Sequence, residues 1–574
     1  MNTVINPEYW KESIVYEVYL RSFQDSNGDG IGDIPGVISR LDYLKELGVD
    51  VVWISPVHPS PNADYSYDIK DFYSIDPVFG TLDDLKQLIH EVHKRDMKMI
   101  MDMIINHTSD EHPWFLESRS SVDSPYRDYY FWRDPAPDGG PPSNWISYLG
   151  ESMWEYDETT KQYYLHSYHK KEPDLNWENP RVRQEMKDIM HHWLKLGIDG
   201  YQIDAVNSIS KDTRFPNTDD TERRQANAEQ YFKEGPRVHE YLHELYEDVF
   251  AHYSIFTAGE PSGIGTDEAA LYTHPDRQEL DMVLMMEASK IDTVTNDLWQ
   301  YQPWTLQDLK KIMGDWNRNL YGKGWIGVYL SSHDHARLVS YLGDADKYHK
   351  ESAKLLAMFL MTMQGTPYIY QGDEIGMTNA QHLRTIDDFT EQQAKIYYRQ
   401  RVEEHGDDEQ EIMQRIYTKS RDHARTPVQW EDGPNGGFST GEPWMPVNPN
   451  TREINVRQQQ DDPDSILNFY REIIRIRKQH KTLVYGNYED ILPEDEQIYA
   501  YTRAGKEDRW LIVLNFSSSP ADFRLPDADS LANAELMLHT HPDRGADPSA
   551  ILSGKQVQLQ PYEALLFSQK HSSK

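Results

Sequence analysis

The chain has 574 residues and not one cysteine. That absence excludes disulfides, thiolate nucleophiles and cysteine–zinc sites together. Positive charge is scarce: Asp and Glu outnumber Lys and Arg by 95 to 58, a formal charge of −37. Such a surface repels nucleic acid and anionic membranes, and it suits neutral ligands such as sugars. Long apolar runs are missing too. The most apolar helix-like stretch, "AKLLAMFLMTMQGTPYIY", is interrupted by Gly365 and Pro367 and is too short to span a bilayer. The start, "MNTVINPEYWKES", has no basic segment followed by an apolar one, so no secretory signal is read there and a cytoplasmic protein is expected. The 23 histidines make no HExxH or similar zinc spacing.

What is present is a globular composition, 38% hydrophobic and 12% aromatic, with enough length for more than one domain. The first half alternates two periods. "SIVYEVYL" (13–20), "VDVVWISPV" (49–57) and "MKMIMDMIINH" (97–107) are strand runs. Between them, "VISRLDYLKELG" places Ile38, Leu41, Leu44 and Leu47 on one helical face before Gly48, and Thr81 opens the helix "LDDLKQLIHEVHKRD". Repeated β then α predicts a parallel sheet with helical crossovers.

The pattern lapses over 105–177, which is aromatic, Pro-rich and loop-like and reads as an inserted subdomain. It resumes with the helix "NPRVRQEMKDIMHHWLKLG" and the strand "GYQID". The strands "SIFTAGE", "LDMVLMM", "WIGVYLSSHD" and "TPYIYQGDE" follow. Eight candidates are the number that closes a (β/α)8 barrel. From 484 the texture changes to short strands with turns, predicting a C-terminal antiparallel β-sandwich. The division is therefore 1–104 and 178–483 for the barrel, 105–177 for the insertion and 484–574 for the sandwich.

Barrel active sites lie at the C-terminal ends of the strands. Here the polar residues Asn106, His107, Asp204, Glu260, His333 and Asp334 fall at those ends, so a barrel would gather them into one pocket. Two carboxylates flanking a glycosidic bond are the minimum equipment for glycoside hydrolysis. The shorter Asp204 suits the nucleophile, and Glu260 in apolar surroundings suits a general acid with a raised pKa. Asp334 is a third acid for orienting hydroxyls. The plain alternative for any one of them is a helix cap or a lysine partner.

The motifs "DMIINHTSDEHPWF", "GYQIDAVNSIS", "TAGEPSG", "SSHDHAR", "PDLNWENP", "YIYQGDEIGMTN", "ARTPVQW" and "GFSTGEPWMPVNPN" together resemble glycoside hydrolase family 13, the α-amylase family, and within it the oligo-1,6-glucosidase and α-glucosidase group. The resemblance runs over nearly the whole chain. It implies a retaining hydrolase with Asp204 as nucleophile, Glu260 as acid/base and Asp334 as transition-state stabiliser, the first two carboxyls about 5–5.5 Å apart. It further implies that His107 and His333 bond hydroxyls of the cleaved glucose and that Tyr67 stacks on its ring. By the same resemblance Asp68 and Arg337 bind its far hydroxyls, making the enzyme exo-acting. Tyr168 is a further aromatic candidate for lining the sugar pocket.

Several positions depart from the family pattern. Gln202 stands where the family has an arginine beside the nucleophile, so a charge partner for Asp204 is missing. Ser66 replaces the usual glycine before Tyr67, Ser332 the usual asparagine before His333, and "HDHAR" the commoner "HDQPR". The acids are all kept, so an active enzyme with altered surroundings is expected.

"DSNGDGIGD" (25–33) offers oxygens at Asp25, Asn27, Asp29 and Asp33 around Gly30, as calcium loops do, although Gly36 stands where an EF-hand has its bidentate Glu. The alternative is an Asx-rich turn with no metal. The resemblance favours a structural Ca2+ or Mg2+, with the Ile31 carbonyl as a further ligand; no organic cofactor is expected. Partners are confined to a small oligosaccharide, with a monomer or homodimer.

Three other functions compete. A transglucosidase or sucrose isomerase wants an Arg/Asp-rich motif after strand eight, and "HLRTIDDFTEQQAK" shows no clear copy. A phosphorylated-disaccharide hydrolase wants extra Lys or Arg near the entrance. A non-catalytic sugar-binding protein on the same fold would lose its carboxylates. Ala205, directly after the nucleophile, is smaller than the Val of α-1,6-specific members. By that resemblance the expectation leans to α-1,4-linked substrates such as maltose, with isomaltose-type α-1,6 substrates as the alternative.

Overall fold

The computed structural model describes residues 8–294, 297–527, 533–541 and 547–570. Residues 1–7, part of the start read above for a signal, lie outside them.

Eight parallel strands close into a barrel. They are β1 (Val15–Val18), β2 (Val51–Ile54), β3 (Lys98–Ile104), β4 (Gly200–Asp204), β5 (Phe256–Gly259), β6 (Met282–Leu284), β7 (Ile326–Val328) and β8 (Thr366–Tyr370). Each falls in one of the runs read from the sequence. The register is continuous across the part that matters for the site: Ile104 pairs Asp204, and Gln202 pairs both Asp102 and Ala258. Gly200 starts β4 with φ +150, and a Cβ there would lie 2.0 Å from the Phe256 carbonyl oxygen. The close approach of β5 requires a glycine at that point.

The crossover helices end where their sequences say. Helix α1 (Ile34–Leu47) is capped by the Asp33 side chain and stopped by Gly48 in the left-handed region. Helix α2 (Leu82–Lys94) opens with a reciprocal capping box between Thr81 and Asp84. Helix α3 (Pro180–Leu196), capped by Asn179, buries Val182, Met186, Ile189, Met190 and Trp193 and so leads directly into β4.

The segment between β3 and β4 is less loop-like than its composition suggests. It holds a helix (Pro113–Ser120) and a three-stranded antiparallel sheet of Trp132–Arg133, Gln162–Leu165 and Trp154–Asp157. The turn of its hairpin is set by Asp157, whose carboxylate accepts the Thr159 and Thr160 N–H groups, and by Lys161 at φ 58. Phe131, Trp145, Trp154 and Leu165 pack into a small core that Phe215 and Phe232 of the segment after β4 complete.

A second excursion lies between β8 and the helix Ile466–Gln479. There, the helices Gln392–Tyr398, Glu409–Lys419 and Asp422–Arg425 pack around Trp299, Leu383, Phe389, Ile412 and Ile416. The C-terminal part is a five-stranded antiparallel sheet facing a two-stranded one, with Ile498, Leu511, Val513, Phe523, Leu559, Leu565 and Phe567 between them. Among the described residues no helix is long and apolar enough to cross a membrane.

Candidate active site

Residues two apart on a strand share a face. Gln202 and Asp204 therefore both point into the mouth of the barrel, and the Glu260 N–H extends the ladder by donating to the Ile203 carbonyl at 2.9 Å. Asp204 ends β4, Glu260 follows β5 and Asp334 lies in the loop after β7, so the three acids share the C-terminal rim. Burial raises the Asp204 carboxyl to about 7; Asp334 pushes the same way and His333 pulls back. Burial also lifts Glu260 well above the carboxylate range, helped by Asp102, Asp204 and Asp334. Because the acids lie close and raise one another, the cluster titrates as a unit.

Asp334 behaves oppositely. Burial acts to raise it, but His333, Arg421 and Arg425 outweigh that and hold it far below the usual range. One oxygen, Oδ1, accepts from Arg421 Nη1 and from Arg425 Nη2, each at 3.1 Å. Arg421 Nη2 also donates to Asp64 Oδ1 at 2.6 Å, tying the loop after β2 to the excursion after β8. Asp64, Arg421 and Arg425 are absent from the reading of the sequence. The signal for two of them was available, since "RDHAR" spaces its arginines four apart on one helical face.

The residues expected to bind the far hydroxyls are placed elsewhere. Arg337 is fully buried, and its guanidinium donates to the backbone carbonyls of Gln371, His423 and Thr426. Asp68 is fully buried as well; it accepts from Ser60 Oγ and from the Ala63 and Asp64 N–H groups. Both hold loops together, because their charged atoms are met by the chain's own polar groups. Arg421 and Asp64 instead form the ion pair that spans the rim.

His107 is buried, its pKa lowered to about 4 by that burial, and its Nε2 stands 3.5 Å from Glu172 without a hydrogen-bond partner. Its ring lies 5.4 Å from Tyr168, which stacks on Tyr148 at 4.9 Å. The Tyr67 hydroxyl lies 2.8 Å from His333 Nε2 and donates to Asp102 Oδ2 at 2.9 Å, and its ring stacks on His333 at 5.3 Å. Gln202 does not bond Asp204. Its Nε2 donates to Glu260 Oε1 at 2.9 Å. Ala205 stands at φ +48, where a β-branched side chain is strained, so a small residue there has a backbone reason independent of any substrate.

The 25–33 loop is held by its own hydrogen bonds. Asp25 accepts from the Asn27, Gly28 and Gly30 N–H groups and from Ser439 Oγ; Asn27 and Asp29 each accept from the N–H two residues on. Asp33 accepts from Ser26 and caps α1 at Gly36. Four donors fill the Asp25 carboxylate, and no three acidic, His or Cys side chains among the described residues converge on a point that could hold a metal ion. Asp25, Asn27, Asp29 and Asp33 thus share one loop in which their side-chain oxygens accept from the loop's own N–H groups.

The closed eight-stranded barrel gathers three acids at its C-terminal rim, the equipment of a glycoside hydrolase, and the family model "Alpha amylase, catalytic domain" matches residues 17–486. The chain belongs to that family. It is 50% identical to an oligo-1,6-glucosidase of Parageobacillus thermoglucosidasius over 97% of this chain and 98% of the relative. The trehalose-6-phosphate hydrolase of Bacillus licheniformis superposes with a TM-score of 0.91 at 40% identity, covering 98% of this chain and 100% of the other. An isomaltulose synthase variant of Erwinia rhapontici NX5, in complex with its natural substrate sucrose, gives 0.93 at 39%, covering 98% and 99%.

Proposed function

We propose that the protein is an exo-acting, retaining α-glucosidase that releases glucose from short α-glucosides, with α-1,6-linked isomaltose-type substrates foremost. The observation that carries the chemistry is the contrast within one pocket. Glu260 is raised far enough to keep a proton for the leaving oxygen, while Asp334 stays ionised among two arginines and a histidine. Asp204, at the end of β4, is the attacking carboxylate. In the first step it forms the bond to the sugar carbon as Glu260 gives its proton to the departing oxygen. In the second, Glu260 takes a proton from water, which displaces Asp204.

The Asp64–Arg421 pair supports the exo reading, because it joins two loops across the rim where a longer chain would have to continue. The linkage rests on the relatives named oligo-1,6-glucosidase. The lean to α-1,4 links drawn from Ala205 loses its force once the left-handed backbone accounts for the small side chain.

One observation favours a second reading, hydrolysis of a phosphorylated disaccharide. Lys290 follows β6 with its side chain exposed along part of its length; burial of its amine and the nearby Lys233 lower its pKa, and Asp334, Glu229 and Glu260 pull the other way and favour the cation. An ammonium there suits an anionic group on the leaving sugar.

Initial rates on isomaltose, maltose, sucrose, trehalose and trehalose-6-phosphate, measured side by side, test both readings. The proposal expects the highest kcat/KM on isomaltose, with release of α-glucose first. A dominant rate on the phosphorylated sugar would replace it with the second reading, and no release of glucose from any would refute both.

A further inference from the structure

Glu17 of β1 takes no part in the scheme above, yet it is 1% exposed at the heart of the barrel. Its Oε1 accepts from His333 Nδ1 at 2.5 Å and from the His333 backbone N–H at 3.3 Å. The other ring nitrogen lies 2.8 Å from the Tyr67 hydroxyl, which is 2.9 Å from Asp102 Oδ2. The imidazole is sandwiched between Tyr19, 5.6 Å away and 7° from parallel, and Tyr67, 5.3 Å away and 15° from parallel. A hydrogen-bonded chain thus runs Glu17–His333–Tyr67–Asp102 across β1, the loop after β7, the loop after β2 and β3.

Counting hydrogens along this chain decides its charge. A tyrosine has one hydroxyl hydrogen and an ionised carboxylate has none. With Glu17 and Asp102 ionised, the Tyr67 hydrogen goes to Asp102 and both ring nitrogens of His333 donate; burial and Asp204 press Asp102 the other way, well above the carboxylate range, against His333 and the Tyr67 hydroxyl, so the second proton on the ring rests on Glu17 at Nδ1 and on Asp334 beside Nε2. The ring is then an imidazolium. Its surroundings favour that form: Glu17 on one side, Asp334 Oδ1 at 3.5 Å from Nε2, Asp102 and Asp204 within electrostatic reach, and two aromatic faces above and below. Arg425, which donates from Nε to the His333 carbonyl, is the opposing charge. Burial also disfavours the cation, and Asp334 and Glu17 outweigh it, so His333 is raised on balance. The same imidazolium pulls Asp204 down against the effects of burial and Asp334.

We propose that Glu17 is a positioning residue for the hydrolytic reaction: by holding His333 doubly protonated between Tyr19 and Tyr67, it supplies beside Asp204 and Asp334 the positive charge that Gln202 does not bring. The inference rests on the proposed glucosidase reading for its kinetic consequence, but not for the charge itself. Gln202 is spent on Glu260, so the two strand residues divide the work, one serving the acid and the other, through His333, serving the nucleophile.

Histidine ring 15N signals of the full-length protein at pH 7 test the charge directly. Both nitrogens of His333 carry protons if the assignment is right; a neutral tautomer at pH 7 overturns it, whatever happens to any variant. Glu17→Gln keeps an oxygen acceptor and removes the charge. It should return the ring to the neutral form and move the acidic limb of kcat/KM upward by about one pH unit, because Asp204 then loses its cation. Adding Gln202→Arg to that variant should bring the limb back. A limb that stays in place in Glu17→Gln, with the fold intact, would reduce Glu17 to a structural residue. A doubly protonated ring in a protein that releases no glucose from any substrate would contradict the glucosidase reading and leave the charge assignment standing.

Discussion

Asp204 and Asp334 are aspartates on one rim, and they are driven in opposite directions. Burial and Asp334 raise Asp204 to about 7 with only His333 pulling it back, whereas two arginines join the same histidine at Asp334 and depress it. Residue type therefore says little about role here. What separates the two is which cations the fold delivers to each. The excursion after β8 brings Arg421 and Arg425 to Asp334 alone.

The strongest challenge to this division is removal of the acids themselves. Asp204→Asn and Glu260→Gln should each lower kcat by about a thousandfold or more, with the circular dichroism spectrum unchanged. Retention of most activity by either pure variant would remove it from the catalytic pair. Next comes the cation on the Asp334 side. Arg421→Ala should cost roughly ten- to a hundredfold in kcat/KM, the worth of a charged hydrogen bond, with soluble protein recovered. Arg337→Ala should instead lower Tm or yield, because three backbone carbonyls lose their donor. If the two variants exchanged these phenotypes, the placement of both arginines would be wrong.

Smaller effects sharpen the picture. Ala205→Val puts a stiff side chain at φ +48 and should lower Tm while reducing kcat/KM on maltose and isomaltose alike. A loss confined to maltose would restore the steric argument for linkage choice. Smallest of all is EDTA, which should leave Tm unchanged if the 25–33 loop is the hydrogen-bonded turn seen here. A fall of several degrees would show that a cation stabilises the native state.

The sequence carried the barrel well, because period-2 apolar runs separated by helices with caps at Thr81 and Asn179 are local signals. The acids were legible for the same reason: Asp204 ends a strand, Glu260 directly follows one, and Asp334 lies in the loop after β7. The cations were not. Arg421 and Arg425 lie some ninety residues beyond Asp334 in a helical excursion whose docking no local periodicity encodes. Arg337, three residues from Asp334, drew the assignment through the family resemblance. It precedes the helix Leu338–Leu342, and its side chain turns into the backbone instead of the pocket. The partner of Gln202 was hidden in a similar way. The family pattern, an arginine beside the nucleophile, suggested Asp204, whereas the register with Ala258 brings Glu260 within reach.

The pH dependence of kcat/KM for the wild type and for Gln202→Arg, on whichever glucoside is cleaved fastest, tests the central claim most directly. Activity needs Asp204 ionised, so it rises as pH passes through that group's free-enzyme value. With burial unopposed by a cation at 202, the acidic limb of the wild type should lie near 7. A guanidinium beside the carboxylate lowers its pKa, so in Gln202→Arg the limb should move to lower pH by one unit or so. A wild-type limb at ordinary carboxylate pH, unmoved by the substitution, would contradict the account.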